Sequence, residues 1–90
     1  MRALCAEYKE LIRRYLLGGI SSSEFCDVYI HKFKGERRVI DEDLFLLLDE
    51  LFGDVDMYTE DEDLYVRGGE YLNGKDLRAK AEDIFFRLPC

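Results

Sequence analysis

Asp41, Glu42, Asp43, Asp49, Glu50, Asp54, Asp56, Glu60, Asp61, Glu62 and Asp63 put eleven carboxylates into 23 residues that contain no Lys or Arg. Carboxylates can move protons, hold a cation or meet a cationic surface. Proton transfer needs two of them with separated pKa values in a partly buried cleft, whereas a run of surface acids fits a solvated or partner-binding face. A calcium loop fails on spacing. Asp54-x-Asp56 and Asp61-x-Asp63 both begin like one, but Tyr58 and Tyr65 occupy the third ligand position, and Thr59 and Val66 replace the turn glycine. Covalent carriage on Ser21, Ser22 or Ser23 lacks the Asp-Ser-Leu context of a phosphopantetheine site, since Glu24-Phe25 follows. His31 stands alone, with no arrangement of Ser, Cys or Asp to make a triad. Arg13-Arg14 and Arg37-Arg38 read as solvated helix ends. No catalytic residue, metal or cofactor is expected.

Cys5, Cys26 and Cys90 are an odd set with no CxxC spacing. They suit neither a disulfide framework nor a zinc site, and all three read as reduced cytosolic thiols. The charge balance is sharply local: the Asp41–Asp63 segment carries −11 and the other 67 residues +4, leaving −7 overall. Such a field attracts a cationic surface and repels nucleic acid. The expected partner is therefore a basic protein, with no direct nucleic-acid binding and no membrane. Many basic partners are themselves nucleic-acid-binding proteins.

These acids need a scaffold. Ninety residues, 48 % of them apolar, suffice for one folded domain spanning residues 1–90. The N-terminus lacks an apolar signal core, no stretch approaches a membrane span, and a cytoplasmic protein is expected. Leu4, Tyr8, Leu11, Ile12 and Tyr15 follow helical spacing over about Ala3–Leu17, and Gly18-Gly19 ends that helix. Ser21 and Glu24 form a capping box, with Ile20 and Phe25 as its staple, for a second helix running to Lys34 and Gly35. A third helix is expected from an Asp41 N-cap to Gly53. It buries Leu44, Leu47, Leu48 and Leu51, with Phe45 and Phe52 at the margin. Glu42, Asp43, Asp49 and Glu50 fall on the opposite side, with Leu46 among them, at ~100° per residue. An irregular acidic stretch follows to Glu70, with one further turn near Val55–Tyr58 and weak strand signals at Leu64–Val66 and Tyr71–Leu72. The last helix opens at Asn73 and buries Leu77, Ala81, Ile84, Phe85 and Leu88 before Pro89. The fold class is all-α, with short loops except the acidic third connection.

In order, Gly19-Ile20-Ser21-x-x-Glu24-Phe25, Leu48-x-x-Leu51-Phe52-x-x-Val55-Asp56-x-Tyr58 and Asp76-Leu77-Arg78 resemble the colicin D-type immunity proteins, including those of contact-dependent growth-inhibition systems. The likeness covers roughly residues 10–88. It implies an antiparallel four-helix bundle that neutralises a tRNA-cleaving ribonuclease by presenting acids to its basic cleft. That role carries over to the acids between Asp41 and Asp63. Gly68-Gly69 and Leu46 do not match the family pattern, so the partner's identity stays open. The expected binding set is Glu42, Asp43, Leu46, Asp49, Glu50, Asp54, Asp56, Tyr58, Glu60, Asp61, Glu62 and Asp63. Leu46, Tyr58 and Tyr65 would supply its desolvated centre. The alternative is a DNA-mimic or regulatory protein that blocks a DNA-binding factor.

Overall fold

A computed structural model describes residues 2–61 and 71–90. The expectations for Glu62, Asp63, Tyr65, Gly68-Gly69 and the Leu64–Val66 strand lie outside the described residues. Four α-helices are present among those described: α1 (Arg2–Leu16), α2 (Ser22–Lys34), α3 (Glu42–Asp56) and α4 (Gly74–Arg87). The expected strand at Tyr71–Leu72 reduces to an isolated parallel bridge between Tyr58 and Leu72. None of the four is long and apolar enough to cross a membrane.

Each helix end has an identifiable cause. At the end of α1, Gly18 takes φ +84°, its N–H bonds Tyr15 O, and the Gly19 N–H reaches back to Arg14 O. That paired return is a Schellman stop, and the left-handed residue within it favours glycine. The cap of α2 is half of the expected box. Ser21 Oγ accepts the Glu24 N–H, but the Glu24 carboxylate takes the Ser21 hydroxyl instead of its backbone N–H. The complete box lies at α4, where the Asn73 side chain accepts the Asp76 N–H and the Asp76 carboxylate accepts the Asn73 N–H. Asp41 precedes α3 but makes no side-chain cap bond, contrary to expectation.

The larger correction concerns the end of α3, which runs through Gly53 to Asp56. Leu44, Leu48, Leu51 and Val55 are all buried at helical spacing. A mid-helix glycine costs ~1 kcal/mol relative to alanine, while burying a valine side chain contributes roughly 1.5–3 kcal/mol. Burial wins, and Asp54 and Asp56 sit on the helix rather than in the loop. Leu47, Phe52 and Phe85 are only partly buried against the core.

Cross-helix contacts fix the topology. Tyr15 stacks on Phe25 and Tyr8 packs edge-on against Tyr29, so α1 and α2 run antiparallel. Tyr29 donates to Leu48 O at 2.7 Å, and Phe33 packs against Phe45 and Phe52, which sets α2 antiparallel to α3. Arg87 pairs with Glu50 at 2.9 Å on the α3–α4 side. At the other seam, Arg78 at the start of α4 donates to Tyr15 O and Leu16 O at the end of α1. Helices α1, α2, α3 and α4 thus pack as sequential neighbours and close back on α1 in an antiparallel four-helix bundle. Three tyrosines are fully buried within it, and each hydroxyl finds a partner: Glu36 for Tyr8, Ser22 for Tyr15 and Leu48 O for Tyr29.

The reading of three free thiols is also corrected. Cys5 and Cys90 form a disulfide with Cα atoms 6.1 Å apart, because antiparallel α1 and α4 bring the two ends of the chain together. Cys26 is free and buried, and burial pushes its thiol up to about 12. The bridge closes a loop of nearly the whole chain, so reducing it releases entropy in the unfolded state. Cys90→Ser should lower the unfolding free energy of the oxidised protein by about 2–4 kcal/mol in urea titrations. The same loss should appear on adding reductant to the wild-type chain and be absent in the variant.

Candidate partner-binding face

The outer face of α3 repeats with a period of seven. Glu42 and Asp43 are followed seven residues on by Asp49 and Glu50, and Asp56 continues the first of these columns. Leu46 lies between the first two pairs, and Gly53 lies between Asp49/Glu50 and Asp56. At ~1.5 Å per residue the successive acid pairs stand ~10 Å apart along the helix. Leu46 is 57 % exposed, and the carboxylates at i−4, i−3, i+3 and i+4 surround it. A scattered exposed leucine needs no explanation, but one set among four like charges forms an apolar knob on a charged surface.

Internal ion pairs divide the acids into two groups. Glu7 on α1 binds Lys32 at 2.7 Å and Arg38 at 2.8 Å, and Arg38 also holds Glu36 at 2.6 Å. This cluster ties the α2–α3 connection to α1. Glu10 pairs with Arg13, and Arg87 pairs with both Glu50 and Asp83. By contrast, no described Lys or Arg lies within ion-pair distance of Glu42, Asp43, Asp49 or Asp56. The first group is engaged within the fold; the second faces outward.

The remaining members of the expected set are placed unevenly. Asp54 is half-buried toward α4, and burial raises its carboxyl above the ordinary range, with Lys80 opposing and Glu50 and Asp83 reinforcing that shift. Glu60 and Asp61 are exposed just beyond α3. Tyr58 is half-buried, donates to Glu60 at 3.3 Å, and is raised chiefly by burial. Around it, the Thr59 N–H bonds Leu72 O and the Leu72 N–H bonds Met57 O, fastening the two ends of the acidic connection together. Tyr58 is thus more an anchor of the fold than a free contact.

Two features escaped the sequence. The Glu7–Lys32–Arg38–Glu36 cluster joins residues 25 to 31 positions apart, and no local pattern encodes it. The Arg87–Glu50 pair spans 37 residues in the same way. Ser22 hydrogen-bonds Tyr15 at 2.7 Å and is partly buried, which disfavours a carrier serine. Among the described residues no group of three or more His, Cys, Asp or Glu is placed to hold a metal ion.

Fold and face together define a small acidic helical protein in which, among the described residues, a heavily charged surface without internal cations lies along α3. A model of the family described as bacterial self-protective colicin-like immunity matches residues 3–88, and the chain belongs to that family. No curated protein and no solved structure matches it. It is a member of a group of immunity proteins.

The ion-pair cluster carries its own acid dependence. Arg38, with Lys32 or Tyr8 in support, pulls the Glu7 and Glu36 carboxyls down to about 2. A depressed folded pKa contributes stability that is fully present above the unfolded value, ~4.3 for Glu, and is lost as pH falls through the folded value. NMR titration should show both carboxyl groups ionising near 2. Glu7→Gln should flatten the loss of stability between about pH 4.5 and 2. An unchanged acid limb would remove this cluster as its cause.

Proposed function

We propose that this protein binds and neutralises a ribonuclease toxin of the tRNA-cleaving type, covering the basic active-site cleft with the outer face of α3 and the acidic residues that follow. The observation that carries this reading is the ring of Glu42, Asp43, Asp49 and Glu50 around exposed Leu46, three of the four without a described cation within ion-pair distance. A ribonuclease must attract polyanionic RNA, so its cleft is lined with Lys and Arg. Carboxylates ~10 Å apart on a rigid helix offer that cleft a substitute for phosphates. The protein acts by occupying the cleft, without catalysis of its own, in the cytoplasm where the toxin would meet tRNA. Leu46 contributes the desolvated centre that charge alone does not provide.

Charge and packing leave different kinetic signatures. The association rate with a tRNA-cleaving toxin domain against which the protein protects cells should approach ~10⁸ M⁻¹s⁻¹ at low salt. It should fall steeply as the Debye length shrinks from ~30 Å at 0.01 M to ~10 Å at 0.1 M, with dissociation changing much less. An on-rate flat across that range would reduce the carboxylates to a solubilising coat.

Charge reversal tests the site itself. Because Glu50 already pairs with Arg87, the cleaner substitution is Asp49→Lys, whose side chain has no described cationic partner to lose. Like charge pressed into a basic cleft costs several kcal/mol, so binding should weaken at least ~100-fold and cellular protection should fail. Stability should stay within about 0.5 kcal/mol. Leu46→Ala should act through a faster off-rate. Glu82→Lys changes net charge equally, but exposed Glu82 shares its side of α4 with Arg78 and Phe85, which contact α1, so protection should persist. Equal loss from Asp49→Lys and Glu82→Lys would show that total charge matters and the face does not. Capture of a DNA-binding factor in place of a nuclease would favour the DNA-mimic alternative.

A further inference from the structure

Gly53 is the residue of the α3 face that the isolated chain does not explain. It sits within the helix, its φ is not positive, it is exposed, and a Cβ added there would meet no atom within 4 Å. Neither backbone conformation nor packing calls for glycine, and alanine would favour the helix more. Its position on the face is specific. Gly53 repeats the place of Leu46 one heptad later, so the apolar knob is followed by a bare stretch of backbone rimmed by Asp49, Glu50 and Asp56.

We propose that Gly53 is where a cationic segment of the partner protein crosses α3, its aliphatic stem lying on the bare helix backbone and its charged head held between Asp49 and Asp56. This rests on the reading that the outer face of α3 meets the toxin. Charge complementarity selects the occupant: Asp49 and Asp56 have no described cation within ion-pair distance. An anionic surface would be repelled there, and a purely apolar one would bury carboxylates without partners. Arg and Lys carry methylene stems that lie along apolar or bare surface while the charged head reaches outward. Glycine permits that close backbone approach, and any side chain at position 53 would lift the stem and draw its head off the carboxylates.

The test compares Gly53→Ala, Gly53→Gln and Asp49→Lys with the wild type. The probe is a catalytically inactivated tRNA-cleaving toxin domain against which the wild-type protein protects cells, with Kd and off-rate read by surface plasmon resonance and Tm by circular dichroism. Gly53→Ala should raise Tm of the free protein by roughly 4 °C, the effect of better helix propensity in a domain this size. The same variant should bind about fivefold more weakly. Gly53→Gln should bind at least ~50-fold more weakly, mostly through a faster off-rate, as expected of overpacking at a close contact. If both bind within twofold of wild type while Asp49→Lys does not bind, the crossing at Gly53 is overturned and the face survives. Wild-type binding by Asp49→Lys overturns the face and the crossing together. A Gly53→Ala Tm at or below wild type would show that the fold itself requires the glycine, which also overturns the proposal.

Discussion

The rest of the structure depends on burial of one stripe, Leu44, Leu48, Leu51 and Val55, because α3 has little else to hold it helical. It carries six carboxylates and no basic residue. Its first turn benefits from Glu42 and Asp43 near the positive end of the helix dipole, whereas Asp54 and Asp56 oppose the dipole at the other end by ~0.3–1 kcal/mol each. Gly53 weakens the same half. Burying three leucines and a valine, at roughly 1.5–3 kcal/mol each, outweighs these costs. A charged face can therefore be carried on α3 as long as its inner stripe stays packed against α2 and α4.

The weaker half of α3 is also where the fold adds backbone fastenings. The Met57 N–H closes on Gly53 O and Asp54 O, and the Tyr58–Leu72 bridge ties the residues just after α3 to those just before α4. Arg87 meanwhile reaches across to Glu50, but an exposed pair of this kind contributes only ~0.2–1 kcal/mol. It trims the charge on the α4 side of the face more than it stabilises the bundle. The like charges left over are spaced by the heptad: Glu42, Asp43 and Asp49 have no acid at i+3 or i+4, and the one such pair on α3 is Glu50 with half-buried Asp54. Leu46 and Gly53 occupy the places where such clashes would fall.

What the sequence disclosed was what local periodicity encodes. The stripes that bury Leu4, Tyr8, Ile12 and Tyr15, or Leu44, Leu48 and Leu51, were legible because helical geometry alone puts those residues on one side. Exposed Leu46 was legible for the same reason. Gly53 misled because glycine punctuates helices by propensity, and propensity yields to the burial of Val55 two residues later. The Cys5–Cys90 bridge and the Glu7–Arg38–Glu36 cluster were invisible, since each exists only once the helices have packed. Of the candidate site, the columns on α3 could be read from spacing. The turning of Asp54 toward Lys80 and the anchoring role of Tyr58 could not, because both depend on where α4 begins.

The division of the acids into engaged and unengaged groups bears on how such a protein can change partner without losing its fold. Glu7 and Glu36 are bound to cations that fasten the α2–α3 connection to α1, so altering them loosens that connection. Glu42, Asp43, Asp49 and Asp56 touch no described cation and lie opposite the buried stripe, so substitutions there are nearly free for stability. Specificity can then be rewritten on one helix face, with affinity set by how each charge and the Leu46 knob meet the opposing surface. In the free protein the unneutralised columns repel one another only weakly through water. Once a partner excludes that water, each carboxylate must find a cation or cost several kcal/mol, and under the proposed function that penalty is the source of discrimination between toxins.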